Sequence, residues 1–379
     1  MAQTQLRIAL TGGGSGGHVY PLLAVAEALQ KSAVEKGLFV EIRYFGPKDN
    51  YAGVLESIGV TISRISAGKI RRYFSLLNLL DIPKFFIGFF QAFFKLFFFM
   101  PDAVFSKGGV AAFPVVFVAW FYRIPVIIHE SDAQPGLNNL ISAPFAKRIA
   151  VSFERATQYF KASKTACVGN PIRKFLLTER PTMEQAKEEL GFNSSQSLLL
   201  VLGGSQGSQR INEMVVFVLK DLMEVTQILH QTGAKNFKEI QKLSQAVLIG
   251  VPAATELKNR YQVAAYFEQD IKAAFAAADL IVARAGSNIL EIAAFSKPSI
   301  LIPLGGAASD HQRINAYEFS EAGAALVIEE ANLLPGIFLQ QIRETLKNPE
   351  LLKKMGLAAG KLFKPQAAEV LAEEILRLA

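Results

Sequence analysis

Two stretches of the chain share one order: an apolar strand, a glycine-rich loop and then a helix. The first runs from Leu6–Leu10 through the loop Thr11–His18 to a segment with helical spacing at Pro21–Leu29. The second runs from Leu198–Leu202 through Gly203–Ser208 into another helical segment. A buried strand that feeds such a loop can bring backbone N–H groups against a ligand at a helix N-terminus. The order therefore predicts two α/β domains, each with a ligand loop after its first strand.

Apolar strands alternate with helical segments along the rest of the chain, which favours parallel sheets with helices on both faces. We therefore expect two Rossmann-like domains, 1–168 and 169–363, joined at the Gly- and Pro-containing linker Gly169–Arg173. The C-terminal segment 364–379 reads as an amphipathic helix that packs back on the first domain. The predicted strands are Leu6–Leu10, Val40–Phe45, Val60–Ile65, Ala103–Ser106, Val126–His129, Arg148–Val151, Leu198–Leu202, Gln227–His230, Val263–Phe267, Leu280–Ala283, Ser299–Ile302 and Ala325–Ile328.

The charge of the chain is placed unevenly. Residues 1–168 carry 18 Lys and Arg against 10 Asp and Glu, whereas the remainder carries 22 against 23. This excess indicates an anionic surface or ligand for the first half, and no recognition motif points to nucleic acid. The single cysteine, Cys167, fits a reducing compartment, and the N-terminal residues lack a signal-like apolar region. We expect a cytoplasmic protein.

The segment Lys69–Pro101 holds 10 of the 29 phenylalanines. Between Phe85 and Phe99 they form doublets every four residues, which on a helix cover a broad face opposite Lys84, Gly88, Gln91 and Lys95. The apolar stretch is short for a membrane span of about 20 residues. Two interpretations stay open: a helix in the domain core, or a helix that lies in a bilayer surface beside basic residues.

Polar residues follow several predicted strands, where parallel sheets bind their ligands. In the first half, His18 leaves the first glycine loop as a candidate proton carrier. His129-Glu130 could bind a sugar hydroxyl or support proton transfer, or could be a local hydrogen-bonded pair. Lys107-Gly108-Gly109 could bring a backbone and a positive charge to a diphosphate, or could be a plain turn.

In the second half, the Ser205 loop is the better phosphate candidate of the two glycine loops. Glu291, in the first turn of a helix after Arg284–Asn288, could hold a ribose diol or could complement the helix dipole. Gln312 and Asn315 share a helical face suited to sugar or base hydroxyls. The sequence contains neither a metal-ligand pattern nor a P-loop. A reaction on a nucleotide diphosphate would then need protein dipoles and cations to stabilise the leaving group.

Seven motifs follow one another in a defined order: Gly13-Gly14-Ser15-Gly16-Gly17-His18, His129-Glu130…Pro135-Gly136, Gly169-Asn170-Pro171-Ile172-Arg173, Gly203-Gly204-Ser205-Gln206-Gly207, His230-Gln231-Thr232-Gly233, Arg284-Ala285-Gly286 and Asp310-His311-Gln312…Asn315. This order resembles the MurG family of N-acetylglucosaminyltransferases over essentially the whole chain. The resemblance implies a GT-B fold, two Rossmann-like domains with a cleft between them. It implies an inverting hexosyltransferase that moves GlcNAc from UDP-GlcNAc to the C4 hydroxyl of MurNAc in lipid I, undecaprenyl-pyrophosphoryl-MurNAc-pentapeptide. The product would be lipid II of peptidoglycan biosynthesis.

The resemblance also implies an enzyme without a metal cofactor, bound peripherally to an anionic membrane surface on the cytoplasmic side of the bacterial inner membrane. By position it makes His18 the candidate general base. The other residues that it assigns to substrate, or that follow the strands as candidates, are Ser15, Gly16, Gly17, His129, Glu130, Asp132, Arg173, Ser205, Glu268, Ser287, Asn288, Glu291, Gln312 and Asn315. Two features depart from the family pattern. Asp132 stands where the family usually has Asn, and the interval from Arg284 to Glu291 is one residue shorter.

Three alternative functions remain at this stage, one of which is a non-catalytic UDP-sugar-binding membrane adaptor. A related membrane-lipid glycosyltransferase of the diacylglycerol type would keep the fold and change the acceptor. A dinucleotide-binding oxidoreductase would use Gly12, Gly14 and Gly17, which fit G-x-G-x-x-G, but no acidic residue ends a second strand in the expected place. The charge asymmetry and the Phe-rich segment place the first loop on the acceptor side, with the Ser205 loop as the main UDP site.

Overall fold

Parallel strands form two separate sheets in the described part of the chain. The computed structural model describes residues 5–47, 52–66, 77–204, 207–249, 259–306 and 310–379. The first sheet has the order β3-β2-β1-β4-β5-β6-β7 and the second has the order β10-β9-β8-β11-β12-β13. The strands are β1 Gln5–Thr11, β2 Phe39–Gly46, β3 Thr61–Arg64, β4 Ala103–Ser106, β5 Val126–Glu130, β6 Arg148–Val151, β7 Thr165–Cys167, β8 Leu198–Leu202, β9 Gln227–Gln231, β10 Tyr261–Ala264, β11 Leu280–Ala283, β12 Ser299–Leu301 and β13 Ala325–Val327.

Helices connect the strands, as parallel pairing requires. They are α1 Gly16–Glu35, α2 Ala52–Glu56, α3 Leu77–Phe99, α4 Ala112–Phe121, α5 Leu137–Ser142, α6 Lys174–Leu177, α7 Met183–Glu189, α8 Gln209–Phe217, α9 Leu219–Val225, α10 Phe237–Ile249, α11 Ile271–Ala277, α12 Ile289–Ala294, α13 His311–Glu321, α14 Pro335–Leu346, α15 Pro349–Leu362 and α16 Ala367–Leu378. The predicted fold class, two Rossmann-like domains with parallel sheets, is confirmed.

One predicted strand has different bounds in the structure, and one observed strand had no prediction. The strand β10 spans Tyr261–Ala264 instead of Val263–Phe267, because Tyr261 pairs with Ile228 of β9 and its hydroxyl lies 3.1 Å from Nδ1 of His230. The strand β7, Thr165–Cys167, was not predicted. It has only three residues and carries a polar one, so no apolar run marks it in the sequence.

The chain divides into two compact units, Met1–Lys174 with Lys364–Ala379, and Phe175–Phe363. The first unit extends past residue 168, where the linker predicted a boundary. Within it the guanidinium of Arg173 stacks over the ring of Tyr20 at 4.1 Å, and Lys364 Nζ donates to the Cys167 carbonyl at 2.7 Å. These contacts fasten both ends of the linker region to the first unit.

The two faces of the first sheet carry different cores. Side chains alternate along β1, so Ile8 and Leu10 point to one face and Ala9 points to the other. The helices α1 and α16 cover the first face, where Leu371 and Ile375 of α16 are buried. The helices α3 and α4 cover the opposite face.

The Phe-rich helix α3 is buried on one side and exposed on the other. Phe89 and Phe93 pack against the core, with the Phe89 ring 5.4 Å from that of Phe117 on α4. The polar side chains Gln91 and Lys95 of α3 contact the end of β3 and the residues after it. Gln91 Oε1 accepts from the Ser66 N–H at 2.7 Å, and Lys95 Nζ donates to the Arg64 carbonyl at 2.6 Å.

Several other large aromatics of α3 and α4 lie on the surface, with Phe98 80% exposed. We call Phe86, Phe90, Phe94 and Phe98 of α3, together with Trp120 and Phe121 of α4, the aromatic surface. The buried side agrees with the interpretation as a core helix, and the interpretation as a helix in a bilayer surface stays a prediction for the exposed side. None of the described helices, α3 included, combines the length and apolar character that a membrane crossing needs.

Candidate functional site

Each sheet has one point at which the strand order reverses, and open α/β sheets bind ligands there, beyond the carboxyl ends of the strands. In the first unit this point lies between β1 and β4, and in the second between β8 and β11. In the first unit the first glycine loop follows β1 and Lys107–Val110 follows β4. In the second unit the second glycine loop follows β8 and Arg284–Asn288 follows β11. Position in the topology thus selects the loops that the sequence had indicated.

The first glycine loop is held by a buried tyrosine. The hydroxyl of Tyr44, which is fully buried on β2, donates to the Gly12 carbonyl at 3.0 Å. Gly13 has φ +108°, and a Cβ on it would collide with that hydroxyl. A Cβ on Gly109, after β4, would lie 2.5 Å from the Gly13 carbonyl oxygen. The close approach of the two loops therefore needs glycine at both positions.

His18 belongs to the first turn of α1 rather than to the loop. The helix begins at Gly16, five residues before the predicted start at Pro21, and Ser15 is its N-cap. The Ser15 carbonyl accepts from the His18 N–H at 3.1 Å, and the Ser15 hydroxyl lies 2.9 Å from His18 Nδ1. Glycines at 16 and 17 carry no side-chain signal for helix, so the sequence placed the start too late. The half-buried imidazole of His18 is held in its orientation by Ser15, the N-cap residue of α1.

The His129-Glu130 pair at the end of β5 is buried and internally bonded. His129 Nε2 lies 2.8 Å from the Gly169 carbonyl oxygen, and burial together with the charge of Lys107 holds the pKa of His129 well below its usual range. The Glu130 carboxylate accepts from the backbone N–H groups of Asp132 and Gly136, both at 2.9 Å. The two side chains thus bond to other groups of their own unit and not to each other.

Lys107 does not face a ligand. It is 1% exposed, so the idea that its charge reaches a diphosphate directly was wrong. Burial lowers the pKa of its ammonium, while the charges of Glu130 and Asp132 raise it. Asp132 itself is half-buried. The side chain of Lys107 is directed into the protein because carboxylates lie there.

An arginine side chain contacts the residue at which the second glycine loop ends. Ser205 lies outside the described residues, but Gly203, Gly204, Gly207 and Ser208 are described. Ser208 is the N-cap of α8, and its hydroxyl accepts from the Ile211 N–H at 3.4 Å and from Arg284 Nε at 3.1 Å. The side chain of Arg284 therefore connects the N-terminus of α8 to the loop after β11.

Arg284 is buried and uses its whole guanidinium. Its Nη1 donates to the carbonyls of Ile302 and Pro303 at 3.1 and 3.2 Å, and its Nη2 pairs with Glu330 Oε1. The other Glu330 oxygen accepts from the Gly305 N–H at 3.1 Å. The sequence did not point to Glu330, because nothing near it in the chain marks a site.

A second support of this loop comes from β9. His230 is fully buried between the Tyr261 hydroxyl and Asn212 Oδ1, and burial lowers its pKa to about 3. The next residue, Gln231, donates to the Gly204 carbonyl and accepts from the Phe267 N–H, both at 3.3 Å. Gln231 thus joins the glycine loop to the segment that carries the exposed Glu268.

The other predicted residues of the second unit divide into accessible and buried ones. Ser287, Asn288 and Glu291 are half-exposed at the start of α12, with Glu291 in its first turn. Gln312 Oε1 accepts from the Leu304 N–H at 3.0 Å. Asn315 is fully buried and donates to the Ala285 carbonyl at 3.1 Å, which favours support of the loop over direct sugar contact.

Arg173 and the residues next to His18 belong to the first unit. Arg173 is buried against Tyr20, and Gly16 and Gly17 form the start of α1. Within the described ranges, no cluster of three or more His, Cys, Asp or Glu side chains could hold a metal ion.

Comparison with known proteins gives consistent matches for both halves. The glycosyltransferase family 28 N-terminal domain matches residues 8–151, and the C-terminal domain of that family matches residues 198–371. A UDP-N-acetylglucosamine--N-acetylmuramyl-(pentapeptide) pyrophosphoryl-undecaprenol N-acetylglucosamine transferase of Legionella pneumophila is 38% identical over 347 residues, 90% of either chain. The transferase of the same name from Treponema denticola is 35% identical over 385 residues, covering 97% and 96% of the two chains.

Solved structures agree with this result. The crystal structure of Acinetobacter baumannii MurG matches 98% of this chain and 99% of its own, with a TM-score of 0.72 and 27% identity. A UDP-GlcNAc 2-epimerase from Neisseria meningitidis matches with a TM-score of 0.67 over 99% of this chain, at 12% identity. The second likeness concerns the fold alone.

Proposed function

The chain belongs to the MurG family of glycosyltransferases, and we propose that it transfers GlcNAc from UDP-GlcNAc to the C4 hydroxyl of MurNAc in lipid I. The product is lipid II, and the configuration at C1 of the donor sugar inverts. The observation that carries this function is the similarity of the whole chain to transferases of that name. The resemblance read from the motifs is thereby confirmed.

His18 takes the acceptor proton in this proposal. As O4 of the acceptor attacks C1 of GlcNAc, the bond from C1 to the diphosphate breaks and UDP leaves with its electron pair. The hydroxyl proton passes to the imidazole of His18, which the Ser15 hydroxyl orients. General-base assistance of this kind is worth roughly 10²–10⁴ in rate.

The second unit holds the donor. Backbone N–H groups at the N-terminus of α8 stabilise the negative charge on the departing diphosphate, and Arg284 keeps the Ser208 cap in place. Glu291 binds the ribose hydroxyls and Gln312 the sugar, while the backbone near Glu268 receives the uracil. Helix dipole and backbone donors supply the electrostatic stabilisation, so we propose a reaction that does not depend on a metal and is insensitive to a chelator.

The aromatic surface supports a membrane position for the first unit. Six large aromatic side chains are exposed together there, beside the exposed cations Lys84 and Arg123. Apolar rings enter the interface while cations meet anionic headgroups. This supports a peripheral position on the cytoplasmic side of the bacterial inner membrane, where the lipid-linked acceptor lies.

Sedimentation with vesicles tests the membrane proposal. We expect wild type to bind vesicles that contain anionic lipid, and Phe94→Ser/Phe98→Ser to lose most of that binding. Phe217→Ser is the matched control, since Phe217 is 76% exposed on α8 of the second unit. Equal loss in the control, or full binding by the double variant, would contradict the proposal.

Turnover of UDP-GlcNAc with a lipid I analogue tests the function. We expect release of UDP, formation of a GlcNAc–MurNAc disaccharide with inverted configuration, and the same rate with or without EDTA. Transfer to diacylglycerol but not to the lipid I analogue would favour the alternative acceptor. Saturable NAD(H) binding without any transfer would favour an oxidoreductase.

A further inference from the structure

A buried cation occupies the switch point of the first sheet. Lys107 follows β4 directly and is 1% exposed. Its backbone N–H donates to the Thr11 carbonyl at 2.9 Å, and a Cβ on Gly12 would lie 3.4 Å from the Lys107 Cβ. The lysine is therefore built into the junction of the loops after β1 and β4. An enclosed ammonium is costly unless anions compensate it.

Two carboxylates on the neighbouring loop supply that compensation. Glu130, at the end of β5, is 4% exposed, and its carboxylate accepts three N–H groups at 2.9 Å, from Asp132, Gly136 and Asn139. Only the ionised form offers acceptors to all three donors without an O–H of its own. Asp132 adds a second negative charge two residues later, and both charges act on Lys107.

The charge balance of this cluster depends on the lysine. Burial and the charge of Asp132 raise the pKa of Glu130, whereas the charge of Lys107 lowers it. Among the described residues, His129 is a further titratable neighbour, and its lowered pKa keeps it neutral. Lys107 is a cation that opposes protonation of Glu130 in this described cluster.

We infer that Lys107 is a positioning residue of the acceptor side, the internal cation that compensates the buried Glu130 carboxylate at the start of the loop after β5. That loop reaches the site through two asparagines. Asn138 donates to the Gly109 carbonyl, and a Cβ on Gly108 would lie 2.9 Å from Asn139 Oδ1. Gly109 in turn touches the loop that precedes His18. The assignment to the acceptor side rests on the proposed function.

A double-mutant cycle on two charged residues tests the inference in the full-length enzyme with UDP-GlcNAc and a lipid I analogue. Lys107→Met removes the cation at similar length, Asp132→Asn removes one negative charge at equal size, and the double variant removes both. Lys147→Met, an exposed lysine of the same unit, is the control. For each variant we would measure kcat and both KM values, the pH profile of kcat/KM, and the melting temperature.

We expect Lys107→Met to lower kcat/KM for the acceptor by about 100-fold and to leave the KM for UDP-GlcNAc near its original value. Protonation of Glu130 should add a second ionisation to the acidic limb that the general base produces, and should move that limb up by about one pH unit, because the carboxylate loses its cation. Asp132→Asn in that background should recover about 10-fold of the loss and move the limb back down. The control should match wild type.

Other outcomes would overturn the inference. A loss that affects donor and acceptor equally, without a shift of the limb and without recovery in the double variant, would leave Lys107 a merely structural residue. If Lys107→Met fails to fold, the inference requires the double variant to fold and melt closer to wild type; an equally unfolded double variant contradicts it. If wild type transfers no GlcNAc at all, the proposed function fails, and the melting temperatures of the cycle still test the charge relation.

Discussion

The two units place glycine loops at the same point of the same sheet topology, but they support them differently. In the first unit the loop rests on one side-chain hydroxyl, that of Tyr44, and leads into a helix that carries His18. In the second unit the loop rests on Arg284, on Gln231 and on backbone carbonyl groups. The first loop thus presents a titratable side chain, and the second presents backbone donors in a rigid frame.

This difference matches two chemical tasks. Proton removal needs a side chain at a defined place, and stabilisation of a leaving diphosphate needs N–H groups that do not have to reorganise. The fold supplies the position in both cases. The supporting residues decide which task each loop can perform.

Replacement of His18 is expected to have the largest effect. His18→Ala removes the proposed base, so kcat should fall by roughly 10²–10⁴ while the KM for UDP-GlcNAc changes little. Steady-state kinetics on the lipid I analogue measure both values. Ser15→Ala should give a smaller loss, since it removes only the group that orients the ring. An unchanged kcat in His18→Ala would show that His18 is not the catalytic base. The two loops would then no longer differ in the chemical task proposed for them.

Loss of Arg284 should come next. Arg284→Met leaves Glu330 without its cation and the carbonyls of Ile302 and Pro303 without their side-chain donor, so the free energy of unfolding should fall by about 3–5 kcal/mol. Urea unfolding measures this change. Arg313→Met is the matched control, because the pair of Arg313 with Glu329 is much more exposed, and it should cost about 1 kcal/mol or less. Equal costs for the two variants would show that the rigid frame of the second loop does not depend on Arg284.

Two alanine substitutions in the first loop sharpen the comparison further. Gly13 and Gly14 both have positive φ, but a Cβ collides with the Tyr44 hydroxyl only at Gly13. Gly13→Ala should therefore reduce kcat/KM more than Gly14→Ala, by an added cost of about 1–3 kcal/mol. Tyr44→Phe should recover part of the loss in Gly13→Ala, because it removes the atom that the Cβ meets. Failure of this rescue would place the constraint elsewhere.

The same kind of alanine substitutions can be made in the second loop. There we expect that no replacement of a neighbouring side chain restores the lost activity. Gly204 and Gly207 also have positive φ, yet only at Gly207 does a Cβ collide, and there with the backbone carbonyl of Thr232. We expect Gly207→Ala to raise the KM for UDP-GlcNAc well above that of Gly204→Ala. Similar KM values in the two variants would argue against a backbone-supported loop.

A pH dependence of stability is also expected. His230 has a folded pKa of about 3 against an ordinary value of 6.5, so the unfolded chain binds more protons between these pH values. Its contribution to stability is complete above pH 6.5 and is lost as pH falls toward 3, with a slope of at most about 1.4 kcal/mol per pH unit. Urea unfolding from pH 4 to 7 should show a shallower slope in His230→Gln. An unchanged slope would mean that His230 is not buried neutral.

The alternation of strands and helices predicted most of the fold, because buried parallel strands must be apolar and must be linked by helices. Ala103–Ser106, Arg148–Val151 and Leu280–Ala283 match the observed strands. The start of α1 could not be predicted, since Gly16 and Gly17 have no helical preference and the Ser15 cap decides it. The position of β10 depends on pairing with β9, which is a contact between distant residues.

The motifs alone are enough to find two glycine loops after two leading strands, to put His18 beside the first loop, and to recognise the family. These are local patterns, and local patterns can be read along the chain. Only the tertiary structure decided that Lys107 turns inward, that Asn315 is buried, and that Tyr44 and Glu330 support the loops. Burial and charge compensation arise between residues far apart in sequence, so they appear only when the sheets bring those residues together.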